Sequence, residues 1–439
     1  MRKFRNGKRA LASVVSAVTA LSMAAWGAGS ANAAPHSSPN LRHGNAVQLT
    51  WWNNATSGVL LNVWNNAAKA FDKSHPGVTI QNVPIQNEVL QNTKIPLALQ
   101  SGNPPDIFQQ WGGGREATEI TSGKLMNMTQ ATKGWIKTIG KVAGGWAVDG
   151  QQYGIPYDLH VVGFWYRKDL FAKAGIKGTP ATLAQLEADV TKLKAAHIAP
   201  IAVGSKDKWP DAFWWEYFAL RECSTNTLQH AMKAINLSAN CFVKAGNDLA
   251  AFMKTQPFQP GFLATPAQTG AGSSAGMVAN GQAAMELQGD WDPGTMDPLT
   301  TDKNINNQLG WFPFPTVPGG QGDPTTVLGG GDGFSCSTKA TKACVQFLEY
   351  LDSTPVQKQV AKAAVGLPVN TAASSALTVP GLRDVLSYYK HIHYLQTYFD
   401  VAFPVNVGTA LDAAIANYFA GQGTPQSIIS AVAAAAKAK

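Results

Sequence analysis

The chain has 439 residues and a formal net charge of +8, but five of its basic residues and no acidic ones fall within the first 33, leaving +3 over the remainder. Basic residues do not cluster after that start, which excludes the concentrated basic stripe of a nucleic-acid-binding protein. No second hydrophobic run is long enough to span a bilayer, and the length exceeds one ordinary core, so two domains are expected.

Arg2, Lys3, Arg5, Lys8 and Arg9 precede an apolar run over 10–25. At about 16 residues it is shorter than the roughly 20 that a membrane span needs. Ala31-Asn32-Ala33 then supplies the small residues read by a signal peptidase, so 1–33 reads as an export signal. Met23-Ala24-Ala25-Trp26-Gly27 has the form of a lipoprotein box with Trp26 in place of the lipidated cysteine. An indole has no thiol to acylate, and a freely secreted protein is expected. The Pro/Ser/Asn-rich stretch 34–44 reads as a disordered tether.

A buried strand is predicted over 47–52 (VQLTWW), ended by Asn53-Asn54, followed by a helix over 60–75 closed by Pro76-Gly77. A strand over 78–83, a helix over 88–101 in which Pro96 implies a kink or late start, and a strand over 106–109 follow. Strand–helix–strand–helix–strand predicts parallel pairing and an α/β domain. Gly112-Gly113-Gly114 opens onto a short helix over 115–121. GGGREA fits GxGxxA, a variant of the dinucleotide fingerprint. It follows the third strand instead of the first, however, and no acidic residue lies about 20 positions on to hold a ribose. These glycines are expected instead to let a bulky ligand approach the backbone.

Asp149-Gly150 predicts a hairpin. Strands over 161–166 and 198–203 flank helices over 168–174 and 182–196, the latter capped near Thr182. An aromatic helix is expected over 212–221, helices over 244–254 and 271–280, and a strand over 283–288. A strand over 309–313 is expected to return to the first domain. From Lys339 the pattern is mostly helical: 340–351, 355–364, 380–389, 410–419 and 425–437. No run of linker composition separates the domains, which fits two lobes joined by several crossings. Cys223, Cys241, Cys336 and Cys344 in an exported chain read as disulfides. Loop-closure entropy favours the local pairs Cys223–Cys241 and Cys336–Cys344. A metal site is disfavoured, since there is no CxxC and only His230 lies between paired cysteines.

Tryptophan placement carries the most chemistry. Trp51-Trp52, Trp111, Trp209 and Trp291 fall at strand ends or in loops rich in Gly, Asn, Asp and Pro, and Trp214-Trp215 open a helix. Such positions meet ligands on α/β scaffolds. A sugar ring packs its C–H faces on an indole while its hydroxyls require polar neighbours. Asn53, Asn54, Gln109, Gln110, Lys208 and Asp290 stand beside these rings; Asp158, His160 and Asp332 lie on other candidate cleft loops. The pairs Trp51-Trp52 and Trp214-Trp215 are each expected to split, one member entering the core. Trp64, Trp135, Trp146 and Trp165 read as core.

Enzyme readings are weaker. Asp290 and Asp292 lie two apart on one loop, poorly placed to flank a glycosidic bond. Gly272-Ser273-Ser274-Ala275-Gly276 matches GxSxG without the preceding strand that a nucleophile elbow requires. No catalytic residue, cofactor or metal is expected.

Four segments, AKAFDKSHPGVTIQ (68–81), LALQSGNPPDIFQQWGGG (97–114), DGQQYGIPYDLHVVGFWYRKDLFAKAGI (149–176) and MVANGQAAMELQGDW (277–291), in this order and spacing resemble the family 1 extracellular solute-binding proteins, the carbohydrate receptors of ABC importers. The resemblance runs from about Val47 to about Phe419. It implies an α/β, two-lobe periplasmic-binding-protein fold of the type II kind, with a ligand cleft between lobes joined by hinge strands. The expected division is 45–152 plus 306–352 for one lobe and 153–305 plus 353–439 for the other, the helical tail packing mainly on the second. Ligand contacts are implied for Asn53 and Asn54, for the loop Gln110, Trp111 and Gly113, and for Tyr157, Asp158 and His160. His160 falls where maltose-binding relatives place a contacting glutamate. Lys208, Trp209, Trp214 and Trp215 would line the second lobe. Gly289-Asp290-Trp291 looks like the family's Gly-x-Trp motif with Trp291 as the stacking ring, and Gly331-Asp332 is similar to its glycine-rich ligand loop near the hinge. The GGG after Trp111 and the phrase GDWDPGTM look most like receptors for xylobiose and related β-1,4 xylo-oligosaccharides from actinobacteria; cellobiose, chitobiose or an α-glucoside are alternatives. The implied partners are an oligosaccharide and the membrane permease of an ABC importer, with the receptor itself a monomer.

Overall fold

A computed structural model describes residues 46–438. The export signal and tether expected at 1–33 and 34–44 lie outside the described residues. Among these residues no helix is long and apolar enough to cross a membrane.

The first sheet runs Val78–Pro84, Val47–Asn53, Ile107–Gln110, Gly333–Cys336, Gly154–Pro156. The first three strands are parallel, as the strand–helix alternation predicts, and the last two are antiparallel additions. The intervening helix Gly58–Ser74 buries Leu60, Val63, Trp64, Ala67, Ala68 and Phe71, one face at helical spacing. Trp51 sits at the centre of this core, 5.5 Å from the Trp64 ring and 5.0 Å from Phe347, while its neighbour Trp52 is only partly buried, so this pair splits as strand alternation requires. Pro96 is accommodated by a break: helical Asn87–Val89 passes through a π turn, Leu90–Lys94, into Ile95–Gln100, placing the proline in a first turn where its missing N–H costs little.

The second sheet runs Leu309–Phe312, Gly163–Arg167, Ala283–Gln288, Ala199–Ala202. The strand expected over 309–313 forms, but it pairs antiparallel with Gly163–Arg167 and does not return to the first sheet. That return is made by Gly333–Cys336. The strand expected over 161–166 is two strands, Asp158–Val161 and Gly163–Arg167, in different sheets. Val162 between them donates to the Leu328 carbonyl and accepts from the Tyr217 hydroxyl. A third sheet, Leu367–Pro368, Asp158–Val161, Val327–Gly330, Leu395–Thr397, thus lies on the segments that connect the other two.

The tail helices Val405–Phe419 and Pro425–Lys437 pack into the second core through Leu411, Ile415, Phe419 and Ile428. Helix Lys342–Leu351 packs instead on the first core, and Thr354–Ala363 straddles, turning Val356 and Val360 to the first core and Ala361 to the third. The Asp149-Gly150 hairpin forms, with both residues at positive φ, and Thr182 and Gln185 make a reciprocal capping box. A helix absent from the sequence reading, Thr225–Ala234, precedes Asn240–Met253. The bonds Cys223–Cys241 and Cys336–Cys344 both form.

Candidate functional site

A cavity of about 490 Å³ opens among the strand ends. Asn54, Glu88, Gln91 and Trp111 reach it from the first sheet and its helices; Tyr157, Asp158, His160 and Asp332 come from the connecting segments. Trp209, Phe213 and Trp291 form the opposite wall, and Tyr398 and Asp400 arrive from the tail.

His160 organises the floor. Its Nδ1 lies 2.8 Å from Asp290 Oδ1 and its Nε2 3.1 Å from Asp158 Oδ1. Burial works against charge on the ring, but the Asp158 and Asp290 carboxylates override it and hold the imidazole pKa well above its ordinary value. Burial pushes Asp158 up to about 7 against the pull of His160, and also raises Asp332. The Asp332 amide donates to Asp158 Oδ1 at 2.6 Å, and Asp332 Oδ2 accepts from Asn54 Nδ2 at 3.1 Å and the Tyr157 hydroxyl at 3.4 Å. Gly366, at φ +142°, leaves room for the ring: a Cβ there would stand 2.6 Å from His160 Cε1.

Asp158, His160 and Asp332 stand close enough to share a metal ion, each offering an atom within 4.8 Å of the others. Both nitrogens of His160 already face carboxylates, the geometry of a doubly donating imidazolium with no lone pair for a metal. The donor set does not fit an ion.

The walls are aromatic. Trp291 folds back over Gly289, where any Cβ would collide with the indole. It meets His160 edge-on at 4.7 Å and Trp209 at 6.2 Å, and its Nε1 has no partner among the described residues. Tyr398 is 7% exposed, stacks on Phe213 at 5.3 Å, and its hydroxyl also lacks a described partner. Trp209 Nε1 reaches across to Glu88 Oε1 at 3.4 Å. Burial raises the Glu88 pKa, and the nearby Asp207 carboxylate adds to the rise. Among the described residues lining the cavity there is no lysine or arginine.

Of the residues singled out in the sequence, Asn54, Trp111, Tyr157, Asp158, His160, Trp209, Trp291 and Asp332 come together here. The others do not line the cavity. Asn53 is buried, its amide donating to Asn82 and its Oδ1 accepting from the Ala55 amide, so it fixes the turn that presents Asn54. Gln110 donates to Glu119 at 2.7 Å and accepts from the Trp111 amide at 2.9 Å, bracing the Trp111 loop from beneath. Gly113, at φ +66°, would place a Cβ 2.7 Å from the Val401 carbonyl. Gly113 and Gly114 therefore admit the tail backbone at Val401 and Ala402, and Gly112 the Trp146 ring, where a ligand was expected. Lys208, at φ +70°, opens the helix Trp209–Glu222 with an exposed side chain. Trp214 and Trp215 are both fully buried, stacked on Phe252 and Phe242. The expected split fails because every residue of that helix after Trp209 is buried. Asp290 is buried behind His160.

Asp292 is buried against Glu286, and the Ser274 hydroxyl donates to the Ala267 carbonyl, so neither faces the cavity. Glu88, Gln91, Phe213, Tyr398 and Asp400 were not anticipated. The alternation Tyr394-Leu395-Gln396-Thr397-Tyr398 was a readable signal, since it marks a short strand that ends at the cavity.

Residues 57–358 match the family described as bacterial extracellular solute-binding protein. The chain belongs to this family. An uncharacterized ABC transporter extracellular-binding protein of Pyrococcus horikoshii is 28% identical over 273 residues, 60% of this chain and 59% of that protein's length. The same fold occurs in a structure from work on xylan utilization by the thermophilic bacterium Caldanaerobius polysaccharolyticus, with a TM-score of 0.82 and 23% identity over 88% of this chain and 99% of that one. A chitin oligosaccharide binding protein has a TM-score of 0.80 and 22% identity over 90% of this chain and 99% of its own. The family and these relatives are binding proteins, not enzymes, and the mixed α/β architecture is the two-lobe solute-binding fold.

Proposed function

We propose that this protein is the extracellular receptor of an ABC sugar importer and binds a short β-1,4-linked oligosaccharide, xylobiose or a related xylo-oligosaccharide first among them. The observation that carries the reading is the pairing of indole walls, Trp111, Trp209 and Trp291, with a carboxylate-lined floor. Sugar rings offer apolar C–H faces to the former and hydroxyl donors to the latter. One structural neighbour comes from work on xylan utilization and another is a chitin oligosaccharide binding protein, which puts β-linked oligosaccharides first in the screen; maltose- and acarbose-bound neighbours of the same fold keep α-glucosides in it.

In this reading one lobe carries the first sheet and the other the second sheet with most of the tail; 306–326 moves to the second lobe with its strand. Sugar touching Asn54 and Trp111 on one side and Trp291 on the other stabilises the closed arrangement, which a membrane permease then recognises. The receptor acts as a secreted monomer, and Trp26 gives no site for lipid attachment. A thermal-shift screen of β-1,4 and α-linked disaccharides tests the ligand class, because a ligand of the native state raises the melting temperature. Stabilisation by xylobiose, with no monosaccharide released on incubation, is the expected result. Stabilisation by none of the disaccharides would refute the sugar reading.

A further inference from the structure

We propose that the cavity filters saccharides by charge: it admits neutral ones, holds those carrying a protonated amine more tightly, and rejects those carrying a carboxylate or phosphate, with Glu88 setting the preference. The inference rests on the sugar-receptor reading and specifies its ligand class.

Four carboxylates, Glu88, Asp158, Asp332 and Asp400, line the cavity, against no lysine or arginine among the described lining residues. The nearby cations are engaged elsewhere. Both nitrogens of His160 face Asp158 and Asp290. Arg115 is 2% exposed, gives Nη1 to the Gln91 carbonyl at 3.1 Å, and acts on Asp400 from behind. An anionic ligand would therefore lose its hydration without gaining a free cation, and would meet the Glu88 carboxylate on the wall of the first sheet.

Glu88 differs from the other three carboxylates. Asp158 and Asp332 belong to the His160 network, and Asp400 has Arg115 behind it, whereas Glu88 has no cation beside it: its carboxylate meets only neutral N–H groups, its own backbone amide and the Trp209 indole at 3.4 Å. Asp207 lies close enough to add negative potential. An ammonium beside Glu88 would gain a charge-assisted hydrogen bond and the face of Trp209. The unpartnered Tyr398 hydroxyl, nine-tenths buried at the same cavity, is a second independent sign of a polar ligand group.

The test compares three β-1,4 disaccharides on one skeleton by titration calorimetry at about pH 6: cellobiose, cellobiouronic acid and the glucosamine dimer. If cellobiose binds too weakly to measure, each is run as a displacer of the tightest neutral disaccharide from the screen. The amine is expected to bind most tightly and the uronate about tenfold or more weaker than the neutral sugar. Glu88→Gln is expected to bring the amine-to-neutral ratio close to one. A uronate that binds as tightly as the neutral sugar, or an amine preference that survives Glu88→Gln, overturns the charge filter and leaves the sugar reading standing. Failure of every neutral disaccharide to bind overturns both.

Discussion

Replacing Trp291 with alanine tests whether the indole wall is a ligand platform. The ring is held from behind by the His160 edge at 4.7 Å and from the side by Trp209, yet it is only partly buried and faces the cavity. Of an indole's 150–250 Å², roughly 60 Å² is left for a ligand to cover, worth about 1.5 kcal/mol at ~25 cal/mol/Å². Directional contact with the ring face adds about 0.5 kcal/mol. The expected loss is therefore about 2 kcal/mol, a rise of about 30-fold in Kd. Titration calorimetry with the tightest sugar from the screen measures it, with urea unfolding of the free protein as the control for stability. An unchanged Kd in a folded Trp291→Ala protein would remove this ring from the site and, with it, the argument that the aromatic wall binds sugar.

Trp214→Phe should lower stability by about 1–3 kcal/mol in urea while leaving sugar affinity unchanged, because this ring is core packed on Phe252; a weakened Kd at full folding would return Trp214 to the site. His160→Ala should destabilise by about 3–5 kcal/mol, since Asp158 and Asp290 lose the cation between them, and a change below 1 kcal/mol would refute a charged imidazolium. Burial raises Glu286 to about 7 and Asp292 well above its ordinary value, with Glu286 adding to the rise. These carboxyls stay protonated in the folded chain but ionise near pH 4 once unfolded. Their contribution to stability is thus present below about pH 4 and lost as pH rises to about 7. Calorimetric melting should fall across that window, and Glu286→Gln should flatten the fall; parallel profiles would count against the raised Glu286 and Asp292 carboxyls as its source. Removing the Cys223–Cys241 bond, which spans 18 positions, should cost ~3 kcal/mol in urea, and removing Cys336–Cys344, which spans 8, ~2.5 kcal/mol; the reverse order would show that loop length does not set their contributions.

The parallel half of the first sheet was legible because alternating strand and helix periods leave few topologies. The connecting segments were less so. Val161 and Gly163 read as one strand, since nothing local marks Val162 as the point where the chain leaves one sheet for another; that break is made by Leu328 and Tyr217, far off in sequence. Trp214 and Trp215 were misjudged for a reason the sequence does contain. Phe213, Trp214, Trp215, Tyr217 and Phe218, with Ala212, Ala219 and Leu220, leave the charged residues Asp211, Glu216, Arg221 and Glu222 scattered instead of gathered in a polar stripe, and a helix without such a stripe has no face set for solvent. Polar residues and glycines beside strand ends were ambiguous in kind: Asn53, Gln110 and Gly113 build the turns that present Asn54 and Trp111, and composition does not separate a presenting residue from a presented one. Tyr398 ends a readable strand alternation, but its arrival at the cavity, with that of Asp400, requires the tail to fold back onto Gly113 and Gly114, a tertiary event that the alternation does not specify.

The hydrogen-bonded chain in the floor divides the cavity into parts with different freedom to change. It runs from Asn54 to Asp332, from Asp332 to Asp158, through His160 to Asp290, and so to the backbone that carries Trp291. Each member satisfies another, and each is buried or nearly so, so a single replacement leaves an uncompensated charge or donor at a cost of several kcal/mol. The walls carry no such coupling: Glu88, Trp209 and Tyr398 meet the cavity with at most one polar side-chain partner apiece. Ligand choice can therefore be altered at the walls without unfolding the chain, whereas the floor is fixed by the fold. Relatives that share this floor and differ in sugar should differ at the positions of Glu88, Trp209 and Tyr398, and exchanging these side chains should move specificity at a smaller cost in unfolding free energy than any replacement in the floor.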